Sequence, residues 1–357
     1  MDLGQVVHMN GGDGETSYAK NSFHQGNAVS LTKPIRDEAI TSLYSKTLFK
    51  SLAIADLGCS SGPNTLFVVS DIIMVVEKLC QQLNHSSPEY KIFFNDVSGN
   101  DFNNIFKSLD NFKEKLQDEI KTKMSSCYFF GVPGSFYSRV FPNRSLHFIH
   151  SSHSLQWLSK VPEGIENNKS NIYINYTSPS NVVKAYYDQF KRDFSVFLKC
   201  RAEELVEGGC MVLTMPGRRN EDPCDIKYCC YYWELLAAVL NGMVLEGIIK
   251  EDQVNTFNVP QYYPSPYEVE LEVLNEGSFA INRLELFEAY VDGSNHHEYV
   301  YNAARLMRAM AEPLVVSHFG EDIIEEIFSR HQKIIIDKLP KEKLKAVKVI
   351  ISLTRKA

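Results

Sequence analysis

The chain has 357 residues, 44% hydrophobic and 23% charged, enough for one large α/β domain with an added subdomain or for two domains. A formal net charge of −7 gives no general attraction for nucleic acid or anionic lipid, so neither is expected as a partner. The N-terminal stretch MDLGQVVHMNGGDG lacks the apolar core of a secretory leader, and no apolar run reaches the length of a membrane span; a cytoplasmic protein is expected.

Residues 1–40 are polar with a few aromatics and read as an irregular arm, in which Tyr18 and Phe23 look like groups that cover something. Leu52–Ala55 is a short buried strand. It runs into a turn bracketed by Gly58 and Gly62, and Pro63 sits where a helix begins. Leu66, Val69, Ile72, Ile73, Val76 and Leu79 follow at helical spacing. YKIFFNDV is a second strand ending at Asp96, SCYFFGV a third leading into PGSFYSRVFP, and SLHFIH a fourth. The helix VKAYYDQFKRDFSVFLKCRAEELVEGG ends at glycine, and the strand CMVLTM follows it. The alternation predicts an α/β fold with an open, mostly parallel, Rossmann-like sheet. Residues 218–340 are mainly helical, interrupted by the strand candidate SFAINRLELFEAYV, and KAVKVIISLTRKA is a last strand. The division expected is an arm over 1–40, a cofactor-binding α/β domain over 41–217, a mainly helical cap over 218–340 and a returning strand over 341–357.

Eight cysteines are scattered, with Cys229 and Cys230 adjacent. No CxxC occurs and no histidine stands at zinc spacing, so no metal is expected and buried reduced thiols are.

In open α/β sheets ligands bind beyond the carboxyl ends of the strands, so the first turn identifies the cofactor. DLGCSSG is neither GxGxxG nor a P-loop, and Asp56 closes the strand. An acidic strand end with small residues suits a cationic cofactor without phosphate, such as S-adenosylmethionine (SAM). Asp96 at the next strand end is placed to accept two ribose hydroxyls. Asp56 and Asp96 as mere helix caps is the bland alternative. Ser135 and Phe136 read equally well as an adenine site or as a cap followed by a core aromatic.

The stretch FIHSSHSLQWLSKVP empties an apolar strand into a polar loop carrying one of only two tryptophans, and reads as a pocket wall.

The motifs HMNGGDGETSYAKNSF, IADLGCSSGPN, FFNDVSGNDFN, PGSFYSRVFP, HSLQWLSKVP, FNVPQYYPSP and EGSF occur in the order found in the plant SABATH-type carboxyl methyltransferases. The chain resembles that family over its whole length, and through GRRNEDP followed by CCYYWELLA it resembles the branch acting on salicylate, benzoate and nicotinate. The resemblance implies SAM as cofactor and a homodimer. It implies a methionine-end and sulfonium environment from Tyr18, Ser22, Asp56 and Asn64, a ribose site at Asp96 and Val97, and adenine at Ser135 and Phe136. The acceptor carboxylate would be held by Gln25 and the indole N–H of Trp157. The other walls would come from His153, Gln156, Pro216, Tyr232, Trp233, Tyr262, Met307 and Met310. Many salicylate enzymes of the family carry lysine in place of Asn10, and usually tyrosine and methionine in place of His153 and Gln156.

Methyl transfer to a carboxylate needs no general base, because the acid is ionised at neutral pH. What remains is positioning with water excluded. Burying the donors of His153 and Gln156 unpaired costs about 1–3 kcal/mol each, so the ring should carry a matching acceptor. Nicotinate is therefore expected ahead of salicylate and benzoate. A xanthine N-methyltransferase, a non-catalytic acid-binding protein and a nicotinamide-dependent oxidoreductase are the rival readings.

Overall fold

The computed structural model of the chain describes residues 8–120, 125–222, 229–290, 296–339 and 345–357. Three helices open it: α1 (Tyr18–Asn21), α2 (Phe23–Leu31) and α3 (Lys33–Lys46). Strands and helices then alternate as β1 (Ser51–Leu57), α4 (Asn64–Gln82), β2 (Glu89–Asp96), α5 (Phe102–Lys107), α6 (Leu109–Ile120), β3 (Cys127–Pro133), β4 (Leu146–Ser152), α7 (Ser180–Glu204) and β5 (Leu205–Pro216). The remainder is α8 (Cys229–Leu245), α9 (Glu251–Thr256), α10 (Pro266–Glu276), β6 (Phe279–Tyr290), α11 (His296–Phe319), α12 (Ile324–Lys338) and β7 (Lys345–Arg355). The end of the GRRNEDP motif at Pro223, Cys224 and the Cys229 side chain lie outside the described residues.

The described strands share one sheet in the order β3-β2-β1-β4-β5-β7-β6. The first five run parallel, and β7 is antiparallel to both β5 and β6. The pleat explains why the central strands read as continuous apolar runs. Ala53, Ala55 and Leu57 of β1 join Met211, Leu213 and Met215 of β5 and Val349 and Ile351 of β7 in one core. Leu52, Ile54, Val212 and Ile350 face the other. Helix α7 covers the first face with Val182, Tyr186, Phe190, Phe194 and Phe197. Helix α4 covers the second with Val69, Ile72, Ile73 and Val76.

Two expectations are corrected. The N-terminal arm is helical from Tyr18 onward: Ile35, Ala39, Ile40 and Leu43 fall on one side of α3 and pack on the second core. Residues 279–290, placed by the sequence within the helical insertion, form the edge strand of the main sheet. Charged Arg283, Glu285 and Glu288 interspersed with apolar residues suit a partly exposed edge strand, and β7 supplies an antiparallel ladder along nearly its full length.

The strand order reverses between β1 and β4, which lie side by side and parallel. Such a switch point opens a crevice at the carboxyl ends of the strands. The segment before α1 is tied across that edge: Asn10 N–H donates to Ala309 O of α11 at 3.0 Å, and Arg305 of α11 pairs with Glu15.

Candidate active site

The crevice holds two connected chambers and a smaller recess. The first chamber, an open cleft of about 810 Å³, is lined by Tyr18 from the arm, Gly58 and Ser60 from the β1 turn, and Asp96 and Val97 from the end of β2. Ser135 and Phe136 after β3 and Trp157 after β4 complete it. Its geometry follows from the turn. Gly58 has φ +75°, and a Cβ there would lie 2.1 Å from Ser154 Oγ, which donates to Gly58 O at 3.1 Å. Only glycine lets the two loops close on each other. Asp96 accepts from Ser60 N–H at 2.7 Å and from Val97 N–H at 2.8 Å, one bond on each oxygen. Burial nevertheless pushes its carboxyl up to about 6, against the pull of those two N–H groups. Asn95 donates to the carbonyls of Val132 and Gly134, and so fixes the loop that presents Ser135 and Phe136.

The recess beside it is lined by Tyr18, Gln25, Asp56, Asn64, Thr65 and His150. Asp56 Oδ1 and His150 Nδ1 lie 2.7 Å apart, both buried. Desolvation, then the charges of Asp96 and Asp56, raise the Tyr18 hydroxyl above its ordinary range. Ser22 does not line these cavities. Its carbonyl and hydroxyl accept from Asn64 Nδ2, each at 3.1 Å, so Ser22 orients Asn64.

The second chamber, about 630 Å³, is lined by His24, Gln25, His153, Gln156, Pro216, Tyr232, Trp233, Met307 and Met310, with Gln261, Tyr263 and Lys348. Gln25, His153, Gln156 and Met310 line both chambers and form the neck between them. Gln25 also lines the recess. His153 leaves β4 with φ +57°, an uncommon conformation for a side-chain-bearing residue and one seen at constrained functional sites. His153 meets His24 edge to face at 5.9 Å. Burial first, and the charge of Lys348 second, push His24 down to about 3 and His153 well below its ordinary range. Both rings are neutral at physiological pH.

The two chambers and the recess together bring in every predicted residue except Tyr262 and Ser22, with Asp56 and Asn64 in the recess and Trp157 on the first chamber alone; Ser22 stands one step behind Asn64. Tyr262, expected in the wall, is built into a buried network: its hydroxyl donates to Glu268 at 2.8 Å and accepts from Arg218 at 3.1 Å. The segment around it is extended, with a bridge between Trp157 and Gln261, so alternate side chains diverge and Gln261 and Tyr263 face the chamber instead. The Trp233 indole N–H donates to Gln261 Oε1 at 3.2 Å. Gln156 is corrected in role. Its amide nitrogen donates to His153 O at 2.7 Å, so it offers the chamber an oxygen, buried and without a partner, rather than a donor. Sequence reasoning missed His24, Gln261, Tyr263 and Lys348.

A model of the family described as SAM dependent carboxyl methyltransferase matches residues 4–356. The chain belongs to this family. It is 53% identical to a benzoic acid/salicylic acid carboxyl methyltransferase of Petunia hybrida, over 99% of each chain. It is also 53% identical to the salicylate carboxymethyltransferase of Clarkia breweri, over 100% of each. A solved loganic acid methyltransferase with SAH superposes with a TM-score of 0.86 at 35% identity, covering 98% of this chain and 99% of that one.

The protein is therefore a SAM-dependent methyltransferase, and its first chamber and recess suit the cofactor on physical grounds. The β1 turn, DLGCSSG, has neither GxGxxG nor P-loop spacing to cradle phosphate. Asp56 and Asp96 give the crevice a negative character that suits a cation, and Ser60 Oγ, Thr65 Oγ1 and His150 Nε2 are buried without protein partners. Asp96 would hold the ribose, and Asp56 with Asn64 the amino-acid end. When bound, the cofactor supplies a methyl group on a cationic sulfur. The chain's own contribution at the neck is two neutral amides, a thioether and a neutral imidazole, groups that orient and desolvate rather than take a proton.

Proposed function

We propose that this methyltransferase esterifies a small aromatic carboxylic acid by in-line transfer without a general base, with nicotinate preferred over benzoate and salicylate. The carrying observation is Gln25 at the neck: it lines all three cavities, and its amide nitrogen donates to the Met310 thioether, 3.7 Å away. Sulfur is a weak acceptor. A carboxylate arriving at the neck exchanges that contact for a charge-assisted bond, and Trp157, beside the first chamber, adds its indole N–H. Imidazoles as depressed as His24 and His153 are poor proton acceptors, which agrees with a reaction that needs none. The names of the Petunia and Clarkia relatives support an aromatic acid as acceptor.

The ring preference rests on the polar walls. His153 Nε2 is buried without a protein partner; with Ser152 Oγ donating to Nδ1 across 3.1 Å, Nε2 carries the proton, which a pyridine nitrogen satisfies and benzoate leaves unmatched. The free Gln156 oxygen favours a second reading, in which the ring carries a hydroxyl or amino donor, as in salicylate or anthranilate. The arm 1–40 and the segment 218–340 are taken as the cover of the site, since His24 and Gln25 come from one and Trp233, Met307 and Met310 from the other. A homodimer is part of the proposal on resemblance alone, and a cytoplasmic location on the scattered cysteines read as reduced thiols. Among the described residues no helix is long and apolar enough to cross a membrane. Transfer of labelled methyl from SAM to nicotinate, benzoate, salicylate and anthranilate, with product identification, tests the reading. Methyl esters with nicotinate fastest support it; N-methyl products, or acid binding without turnover, contradict it.

A further inference from the structure

We infer that residues 134–141 form one positioning loop for both halves of the site, anchored by the buried Arg201–Glu204 pair and gripping Trp157 through the Tyr137 hydroxyl. This rests on the reading of the first chamber as the cofactor site and of Trp157 as a donor to the acid. The loop lies between β3 and β4 and carries Ser135 and Phe136 into the first chamber. It is neither helix nor strand, so its backbone polar groups need partners outside a regular ladder. Arg201 and Glu204, in the last turn of α7, supply them, and both are 0% exposed. The Arg201 guanidinium donates to the carbonyls of Phe136 at 2.8 Å and Ser138 at 2.9 Å. It also donates to Glu204, from Nε at 2.6 Å and from Nη2 at 2.8 Å. Glu204 Oε1 in turn accepts from the N–H groups of Val140 at 2.8 Å and Phe141 at 3.1 Å. Burying an ion pair costs desolvation that two apolar side chains would avoid, and the four backbone groups it holds explain its use here. The same loop reaches the acceptor side. The Tyr137 hydroxyl donates to Trp157 O at 2.7 Å. The flanking backbone bonds, Leu158 N–H to Pro260 O and Tyr262 N–H to Gln156 O, each 2.8 Å, are made by the neighbours of Trp157, whereas Tyr137 holds the Trp157 carbonyl itself. A cofactor seated against Ser135 and Phe136 fixes the loop, and through Tyr137 the loop fixes the peptide that carries the Trp157 indole. Cofactor binding and acid binding are thereby coupled.

The test is calorimetric titration of the full chain with SAH, and with salicylate, benzoate and nicotinate in the absence and presence of saturating SAH. In the wild type, SAH should raise the affinity for the best-bound acid at least about fivefold, the low end of coupling between sites. Tyr137→Phe keeps the ring and removes the hydroxyl alone, so its melting temperature should stay within about 3 °C of wild type. In this variant the gain from SAH should vanish, while SAH affinity without acid stays within about threefold. The double variant Arg201→Met, Glu204→Leu removes the anchor without stranding either charge, and should bind SAH at least about tenfold more weakly. No gain from SAH in the wild type, or the same gain in Tyr137→Phe, overturns the inference. So do equal losses of SAH and acid affinity in Tyr137→Phe, which mark a merely structural role, and a folded double variant with wild-type SAH affinity. Tyr137→Phe decides the question if the double variant does not fold. A wild-type protein that binds SAH and none of the three acids overturns the underlying acceptor reading instead, and the inference falls with it.

Discussion

The Gln25 amide nitrogen donates to the Met310 sulfur across 3.7 Å and so joins the N-terminal arm to helix α11 at the neck of the site. The other end of the same amide, Oε1, is buried without a partner. A side chain held this weakly is available to a ligand. Gln25→Ala should lower kcat/KM for the acid about 10- to 100-fold, the loss of one charge-assisted hydrogen bond. SAH affinity, measured by calorimetry, should change less than about threefold.

Trp157 tests the second donor. Its ring is 9% exposed and belongs to the core, so Trp157→Phe keeps most of the packing and removes the N–H. The expected outcome is a fall of about tenfold or more in kcat/KM for the acid, with a loss of stability under about 1.5 kcal/mol by denaturant unfolding. A purely structural Trp157 would instead show lost stability and unchanged kinetics.

Asp96 sets the acid side of the pH profile. Its folded-state carboxyl is raised from 3.8 to about 6, mainly by burial. As pH falls through about 6 it takes up a proton and loses acceptor capacity, so SAH binding should weaken below that point. Asp96→Asn should weaken it about 100-fold at pH 7.5. The unfolded chain takes up the same proton only near pH 4, so on this account the ligand-free protein gains stability from Asp96 as pH falls from about 6 toward 4. Above pH 7, kcat should stay flat, because the neighbouring imidazoles of His24 and His153 are already neutral.

Gly58→Ala tests the turn. The substitution puts a Cβ 2.1 Å from Ser154 Oγ at φ +75°. The left-handed conformation alone costs about 1–2 kcal/mol, and the clash adds to it. Lower stability by about 2 kcal/mol or more, with loss of SAH binding, is expected in thermal and calorimetric titrations.

The cofactor half of the site was legible because its chemistry sits at strand ends. Asp56 and Asp96 close β1 and β2, and a parallel sheet aims such residues into one crevice. The acceptor half was harder. Choosing Tyr262 over Gln261 and Tyr263 required the register of an extended segment, which a one-residue slip inverts. His24 was passed over because the arm was read as irregular, although α2 buries it beside Gln25. Lys348 stands in KAVKVIISL, where the apolar run reads as an ordinary buried strand; the one sign was a lysine inside it. The donor expected of Gln156 depended on a local bond to His153 O that residue type alone does not reveal. Residues 279–290 were recognised as a strand, but their partner β7 lies beyond two intervening helices.

The most direct test of the account is a crystal structure of the protein with SAH and nicotinate. The carboxylate should lie within hydrogen-bond reach of Gln25 Nε2 and the Trp157 indole nitrogen, with one oxygen pointing at the SAH sulfur and the ring in the chamber of Trp233 and Met307. A carboxylate turned toward Lys348, with the ring nitrogen at the neck, would contradict it.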